Sequence, residues 1–425
     1  MVFFIYNIYR LFSGIAYPFL YLLLNYRKFK KKEHNERWEE KLGFYKVKRP
    51  DGNLTWLHVA SVGELNSCIK LAEIFLEKSN ILITSGTLTS AETFAKIDFK
   101  KTKFQIMHQF APLDSPIIVK RFLTHFKPNI SCFTESEIWP NLLHEAAKIS
   151  KVFSINTRIS DKSLEQWKKH HVIFKWICSH FTLIIPSTKS LASELSKITP
   201  QNICFLGNLK YDTEFKSNLE KASQLKESIS GKTVVFASTH EGEEEKLIPI
   251  IKEILAKNKE VSGGINIILI PRHPERTIKI QALLLHFNIP SNVRTKNEPI
   301  SNSSVYIANT IGEMAEFYQI ADVIFMGGSL VETVGGHNII EPAKARKPII
   351  SGASYFNFTE IFEEFLSKNA ILVLKPEEIA EHIFKILNDK EFAETLSQNA
   401  YNVSQGNAFI AQNFANLIES YAAKR

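Results

Sequence analysis

The chain has 425 residues, 44% hydrophobic and 23% charged, a balance that excludes a disordered polymer and leaves room for two domains. Its formal charge of +8 is local, because residues 1–32 contain Arg10, Arg27, Lys28, Lys30, Lys31 and Lys32 and no acid. A nearly neutral body argues against a long nucleic-acid groove and for a membrane surface or an anionic substrate. Cys68, Cys132, Cys178 and Cys204 have no metal-ligand spacing and read as buried thiols.

Residues 2–24 contain 18 apolar side chains, the length of a spanning helix. Asn7, Arg10, Ser13 and Pro18 interrupt the run, which also suits a helix lying in the interface. Tyr6, Tyr9, Tyr17, Tyr21 and Tyr26 fit a headgroup boundary, and the cations at 27–32 place the body on the cytoplasmic face. Residues 1–32 are therefore expected to be an N-terminal membrane-anchor helix with a basic flank.

From 54 to 206, apolar runs alternate with helical patterns: Leu54–Ala60, Ile81–Thr84, Phe104–His108, Ile130–Phe133, Val152–Ile155 and Phe181–Pro186. Residues 212–232 are polar and read as a linker, after which alternation resumes through Thr233–Ala237, Ile265–Ile270, Val305–Ala308, Val323–Met326 and Pro348–Ile350. The pattern predicts α/β architecture: two Rossmann-like, doubly wound parallel-sheet domains, 33–211 and 233–425, facing a cleft. The last helix has the alternative of packing back on the first domain. No GxGxxG fingerprint is present.

Chemistry-bearing residues gather where strands end and helices begin. Ser61-Val-Gly-Glu64 puts a carboxylate at that edge, as a general base or as a plain helix cap. Thr134-Glu-Ser-Glu137 follows the next strand; Glu135 reads as facing the substrate and Glu137 as helix entry. Asn156 to Ser163 reads equally as an anion contact through Arg158 and Ser160 or as a solvated loop. Lys210 stands before the linker, able to neutralise a leaving phosphate or simply to face solvent.

In the second half, Ser238 to Glu244 offers amide donors for phosphate, with its acids read mostly as a first-turn preference. Pro271-Arg272-His273-Pro274 fixes an arginine and a histidine at the sheet edge. Ile311, Gly312 and Glu313 begin another helix. Gly335-Gly336-His337-Asn338-Ile339-Ile340-Glu341 lets a ligand approach the backbone, with Glu341 suited to a ribose diol; a structural glycine turn is the alternative.

These segments in order, with Arg37-Trp-Glu-Glu-Lys-Leu-Gly43 and Phe110-Ala-Pro-Leu-Asp-Ser-Pro116, resemble the 3-deoxy-D-manno-octulosonate (Kdo) transferases of lipopolysaccharide synthesis, glycosyltransferase family 30, with the GT-B fold. The resemblance implies inverting transfer without metal or other cofactor, from CMP-Kdo to a lipid A precursor (lipid IVA), on the cytoplasmic face of the cell inner membrane. It implies Glu64 as general base, and Glu135 and Lys210 as transition-state stabilisers. It also implies Arg272, His273, Ile311, Gly312, Glu313, Asn338, Ile339, Ile340 and Glu341 as CMP contacts. The loop at 330–337 is a residue longer than the family pattern, and Ile339 stands where proline is more usual. Competing expectations are a GT-B enzyme of the lipid A disaccharide synthase type with another nucleotide sugar, or a non-catalytic membrane-bound sugar or lipid-head binder.

Overall fold

A computed structural model describes residues 2–213, 215–405 and 409–423. The chain divides into two compact units, Met1–Thr213 with Ala408–Arg425, and Glu214–Asn407.

The first unit is built on six parallel strands: β1 Leu54–Val59, β2 Asn80–Ser85, β3 Ile106–Phe110, β4 Ile130–Thr134, β5 Lys151–Thr157 and β6 Leu183–Pro186. Their order is β3-β2-β1-β4-β5-β6. Every residue of β1 is buried, because helices cover both faces of the sheet and demand an apolar run instead of alternation. Trp56 packs against Phe122 and Phe133 at centroid distances of 4.7 and 5.0 Å, and its indole N–H donates to Thr84 Oγ1 at 2.8 Å. The helix Ile410–Ala423 belongs to this unit, where Glu419 pairs with Lys78 at 2.7 Å.

The second unit carries seven parallel strands: β7 Lys232–Thr239, β8 Ile265–Pro271, β9 Ser291–Val293, β10 Val305–Ile307, β11 Val323–Met326, β12 Ile349–Ser351 and β13 Leu372–Val373. Their order is β13-β12-β11-β7-β8-β10-β9. Val234, Phe236, Ile267, Leu269 and Phe325 form the centre of its core. Residues 212–232, expected to be linker, contain a helix, Leu219–Glu227, that buries Ala222 and Leu225.

The N-terminal apolar run departs from a single anchor helix. It forms two helices, Val2–Ile15 and Tyr17–Phe29, and among the described residues no helix is long and apolar enough to cross a membrane. The break has a chemical cause: Pro18 has no amide proton for the carbonyl of Gly14. Tyr6 seats the first helix against His144 and Trp176, at 4.7 and 4.9 Å between centroids, and Leu24 seats the second beside Trp38, Leu42 and Ile118. Phe3, Phe4, Leu11, Phe12, Ile15, Phe19 and Leu22 stay exposed.

Candidate active site in two half-sites

In an open α/β sheet, the carboxyl ends of the two strands where the chain reverses its winding leave a crevice. In the first unit these strands are β1 and β4, and Glu64 and Glu135 follow them.

Glu64 lies in the first turn of the helix Val62–Leu76. Ser61 caps that helix, accepting from the Glu64 amide at 3.3 Å and donating its hydroxyl to Glu64 Oε1 at 3.1 Å. Glu64 Oε2 accepts from the Ala60 amide at 2.8 Å and from the Thr134 hydroxyl. The carboxylate is thus a cap and a buried acid at once. Burial pushes its pKa above the ordinary carboxylate value, with the Glu135 charge adding to the rise, while the three donors pull the other way. A helix N-terminus by itself favours the ionised carboxylate and would lower this pKa. Desolvation wins because a macrodipole contributes about 0.3–1 kcal/mol, whereas full burial shifts a carboxylate by up to about 3–5 units.

Glu135 has a left-handed backbone, φ 46°, and its amide donates to the Ile155 carbonyl at 3.1 Å. Its carboxylate lies 2.8 Å from Lys210 Nζ, both side chains largely buried. The structure therefore brings Glu64, Glu135 and Lys210 to one edge of one sheet. Lys210 sits in the turn Leu209–Asp212, pinned by side chains from three places. Asn156 Oδ1 accepts from the Leu209 amide at 3.0 Å, Asn208 Oδ1 from the Lys210 amide at 3.0 Å, and the Asp212 carboxylate from the Ala411 amide.

Glu137 is not a simple entry cap. It accepts from the Trp139 indole at 2.6 Å and lies 3.2 Å from His58 Nε2; these partners hold its pKa down against the opposing effect of burial. Ser160 is a cap, accepting from the Ser163 amide at 3.3 Å. Thr134, at the end of β4, joins the site through its hydroxyl on Glu64, a role its place in the sequence does not signal.

In the second unit the winding reverses between β7 and β11. His240 follows β7, and Gly327 to His337 follow β11. His240 and His337 meet Nε2 to Nε2 at 2.8 Å with near-parallel rings, and the His273 ring stands edge-on to His240 at 5.7 Å. Burial first, then the neighbouring histidines and arginines, lower the pKa of His240 to about 4 and of His337 to about 3. Both are neutral at pH 7, so one ring nitrogen donates and the other accepts. Neither histidine was among the expected contacts.

Beneath them Glu243 accepts four backbone amides, from Gly328, Ser329, Leu330 and His240, at 2.6 to 3.2 Å. Glu243 stands at the N-cap and Glu244 in the first turn of the helix Glu244–Ala256, as a first-turn preference expects, but both also have specific partners. Glu243 organises the glycine turn, and Glu244 holds Arg276 in a two-pronged pair at 2.8 and 3.0 Å. A Cβ at Gly327 would come within 2.8 Å of the Ala237 carbonyl and 2.9 Å of Glu243 Oε2, so the turn admits no side chain there.

The remaining expected contacts also stand at this strand edge. Arg272 and His273 follow β8 and are exposed. Ile311 is exposed, and Gly312 has φ +90° with open space around it. The Glu313 carboxylate is engaged by Arg294 at 3.0 Å and by the Thr310 hydroxyl, and Arg294 holds its pKa down. Asn338 Oδ1 accepts from the Ile340 amide at 3.0 Å. The helix begins at Ile340, and the side chains of Ile339 and Ile340 are fully buried, so these two have only backbone groups to offer a ligand. Burial pushes the Glu341 carboxyl up, with Lys344 opposing.

Residues 36–213 match the family described as 3-deoxy-D-manno-octulosonic-acid transferase (kdotransferase), and 294–403 match glycosyl transferases group 1. The chain is 33% identical to a 3-deoxy-D-manno-octulosonic acid transferase of Rickettsia bellii, covering 98% of this chain and 99% of that protein. It is 29% identical to the protein of that name from Haemophilus influenzae, covering 96% of each. Among solved structures, the fold is similar to UDP-GlcNAc 2-epimerase from Neisseria meningitidis, with a TM-score of 0.56 at 14% identity, covering 86% of this chain and 100% of that one. Two parallel-sheet α/β units are the GT-B plan.

Proposed function

Since the chain belongs to the 3-deoxy-D-manno-octulosonic acid transferase family of glycosyltransferases, we propose that it moves Kdo from CMP-Kdo to a lipid A precursor, with inversion and without a metal. The observation that carries this reading is Glu64: a buried carboxylate, held by three donors at the reversal point of the first sheet, with its pKa raised. A base is most useful when its pKa approaches the working pH. Glu64 takes the proton of the acceptor hydroxyl as that oxygen bonds to the anomeric carbon. The bond from that carbon to the CMP phosphate oxygen breaks, and its electron pair leaves with CMP. A single displacement of this kind inverts the centre and needs no enzyme nucleophile.

Glu135 and Lys210 form the fixed charge pair next to the base. Lys210 offsets negative charge that develops in the transition state, and Glu135 keeps Lys210 in place. In the second unit, Arg272, His273, the segment Ile311 to Glu313 and the segment Asn338 to Glu341 are the CMP contacts. Arginine supplies a planar donor set for phosphate, and Glu341 accepts from ribose hydroxyls. Transfer needs donor and acceptor together, so the expected cleft is part of this proposal. So is location at the cytoplasmic face of the inner membrane, with the exposed apolar faces of Val2–Ile15 and Tyr17–Phe29 lying in the membrane interface.

Mass spectrometry tests the reaction. Purified protein receives CMP-Kdo made in situ and tetraacylated lipid A precursor, with EDTA present. Mass gains of one or more Kdo units, absent with Glu64→Ala, are expected. No product from folded protein overturns the donor or the acceptor.

A further inference from the structure

Away from the candidate site, the first unit has a groove of about 590 Å³ between the ends of the helices Pro116–Phe126 and Pro140–Ala146. Its lining includes Arg49, Lys120, Lys127 and Lys148, and Glu145 is its one acid. The bland explanation is that cations suit helix C-termini. Two observations go further.

The first is preorganisation. Arg49 is set by three carbonyls, donating to Phe126 O at 2.7 Å and to Pro50 O and Gly52 O at 2.8 Å, so a fixed charge sits in the groove wall. Lys148 pairs with Glu145 at 2.8 Å, which uses the only acid and leaves an excess of positive charge. The second is place. Arg10, between exposed Tyr9 and Leu11 on the helix Val2–Ile15, reaches Glu145 at 4.0 Å. The groove therefore adjoins the apolar surface proposed to lie in the membrane interface. Exposed Ile149 lines it, and exposed Ile117 lies on the helix that forms its wall.

We infer that this groove is a binding site for the phosphate of an anionic glycerophospholipid headgroup, fixing the orientation of the first unit on the bilayer. The inference rests on the membrane-surface reading above. The apolar helices supply partition into the interface without choosing lipid charge. The groove adds a walled concentration of cations, Arg49, Lys120, Lys127 and Lys148, separate from the helices' own basic flank at 27–32. Acyl chains would follow the apolar surface past Ile117, leaving the headgroup against Lys120, Lys127 and Lys148.

The test is vesicle flotation of full-length protein on phosphatidylcholine alone and on phosphatidylcholine with about one quarter phosphatidylglycerol. Lys120→Ala/Lys127→Ala/Lys148→Ala is compared with wild type and with the matching triple Lys→Arg variant. Wild type is expected to bind both vesicles, the anionic ones more tightly. The triple alanine variant is expected to lose at least about tenfold on anionic vesicles only, and the arginine variant to keep wild-type binding. Inorganic phosphate at matched ionic strength is expected to displace no more protein than chloride does. A triple alanine variant that keeps the full anionic preference overturns the groove while leaving the membrane reading intact. Equal losses on both vesicles overturn it as well. Selective displacement by phosphate with no vesicle preference would assign the groove to free phosphate instead. Wild type that binds neither vesicle overturns both readings.

Discussion

Thr134 gives the sharpest test of the proposed base. Its hydroxyl lies 2.9 Å from the His58 carbonyl and also against Glu64 Oε2. A hydroxyl has one proton and cannot donate to both. With Glu64 protonated, the carboxyl donates to Thr134 and Thr134 donates to the His58 carbonyl. With Glu64 ionised, the Thr134 proton turns to the carboxylate. The side chain thus follows the protonation state of the base. A hydrogen bond to a charged group contributes about 1.5–3 kcal/mol and a neutral one about 1 kcal/mol, so the difference favours the ionised form by about 1 kcal/mol. At 1.36 kcal/mol per unit, Thr134→Val should raise the Glu64 pKa by about one unit. Transfer needs the ionised base, so activity is present above this pKa and lost as pH falls through it. The acid limb of kcat/KM against pH should therefore move up by about one unit while the plateau changes little. Thr134→Ser keeps the hydroxyl and should keep the wild-type limb. An unmoved limb in Thr134→Val, or a serine variant that behaves like valine, refutes the account.

Glu135→Gln removes a charge that raises the Glu64 pKa, so its acid limb should move the opposite way, downward, in the same assay. Glu64→Gln should cut turnover by about 10²–10⁴-fold and yet raise Tm at neutral pH. A raised carboxylate pKa means the ionised form destabilises the fold, so stability is present at low pH and falls as pH rises through that pKa. Calorimetry of both proteins against pH checks this, and a lower Tm in the variant contradicts it. Glu243→Gln places an amide group among four backbone donors and should cost about 3 kcal/mol or more, read as reduced stability together with weakened CMP binding. His240 and His337 titrate near 4 and 3 in the fold against 6.5 in the open chain, so the second unit should lose stability as pH falls below about 6.5. Urea titrations between pH 8 and 5 should show that loss diminished in His337→Asn.

Most strands were legible because burial on both faces forces runs such as Leu54–Ala60 and Ile265–Ile270. β9 and β13 were missed: they are three and two residues long and mostly half-buried, too short to leave a pattern, and β9 is also largely polar. The location of Glu64 at a strand end was readable, but its depth was not, and depth decides the sign of its pKa shift. Glu243 was within reach. It stands four residues before Leu247 and seven and eight before Ile250 and Ile251, all buried on one helix face, a spacing that marks it as an inward acid. The His240–His337 contact could not be seen, since the residues are 97 positions apart and only the order of β7 beside β11 joins them.

The turn that carries Lys210 takes its last hydrogen bond from the amide of Ala411, which lies 199 residues later in the chain. The ribosome must therefore deliver all of β7 to β13 before the first half-site can be locked. A nascent chain that has finished its first sheet still lacks the latch on this lysine. Order of synthesis thus guards the chemistry: the lysine becomes fully fixed only after the second unit's residues have been made.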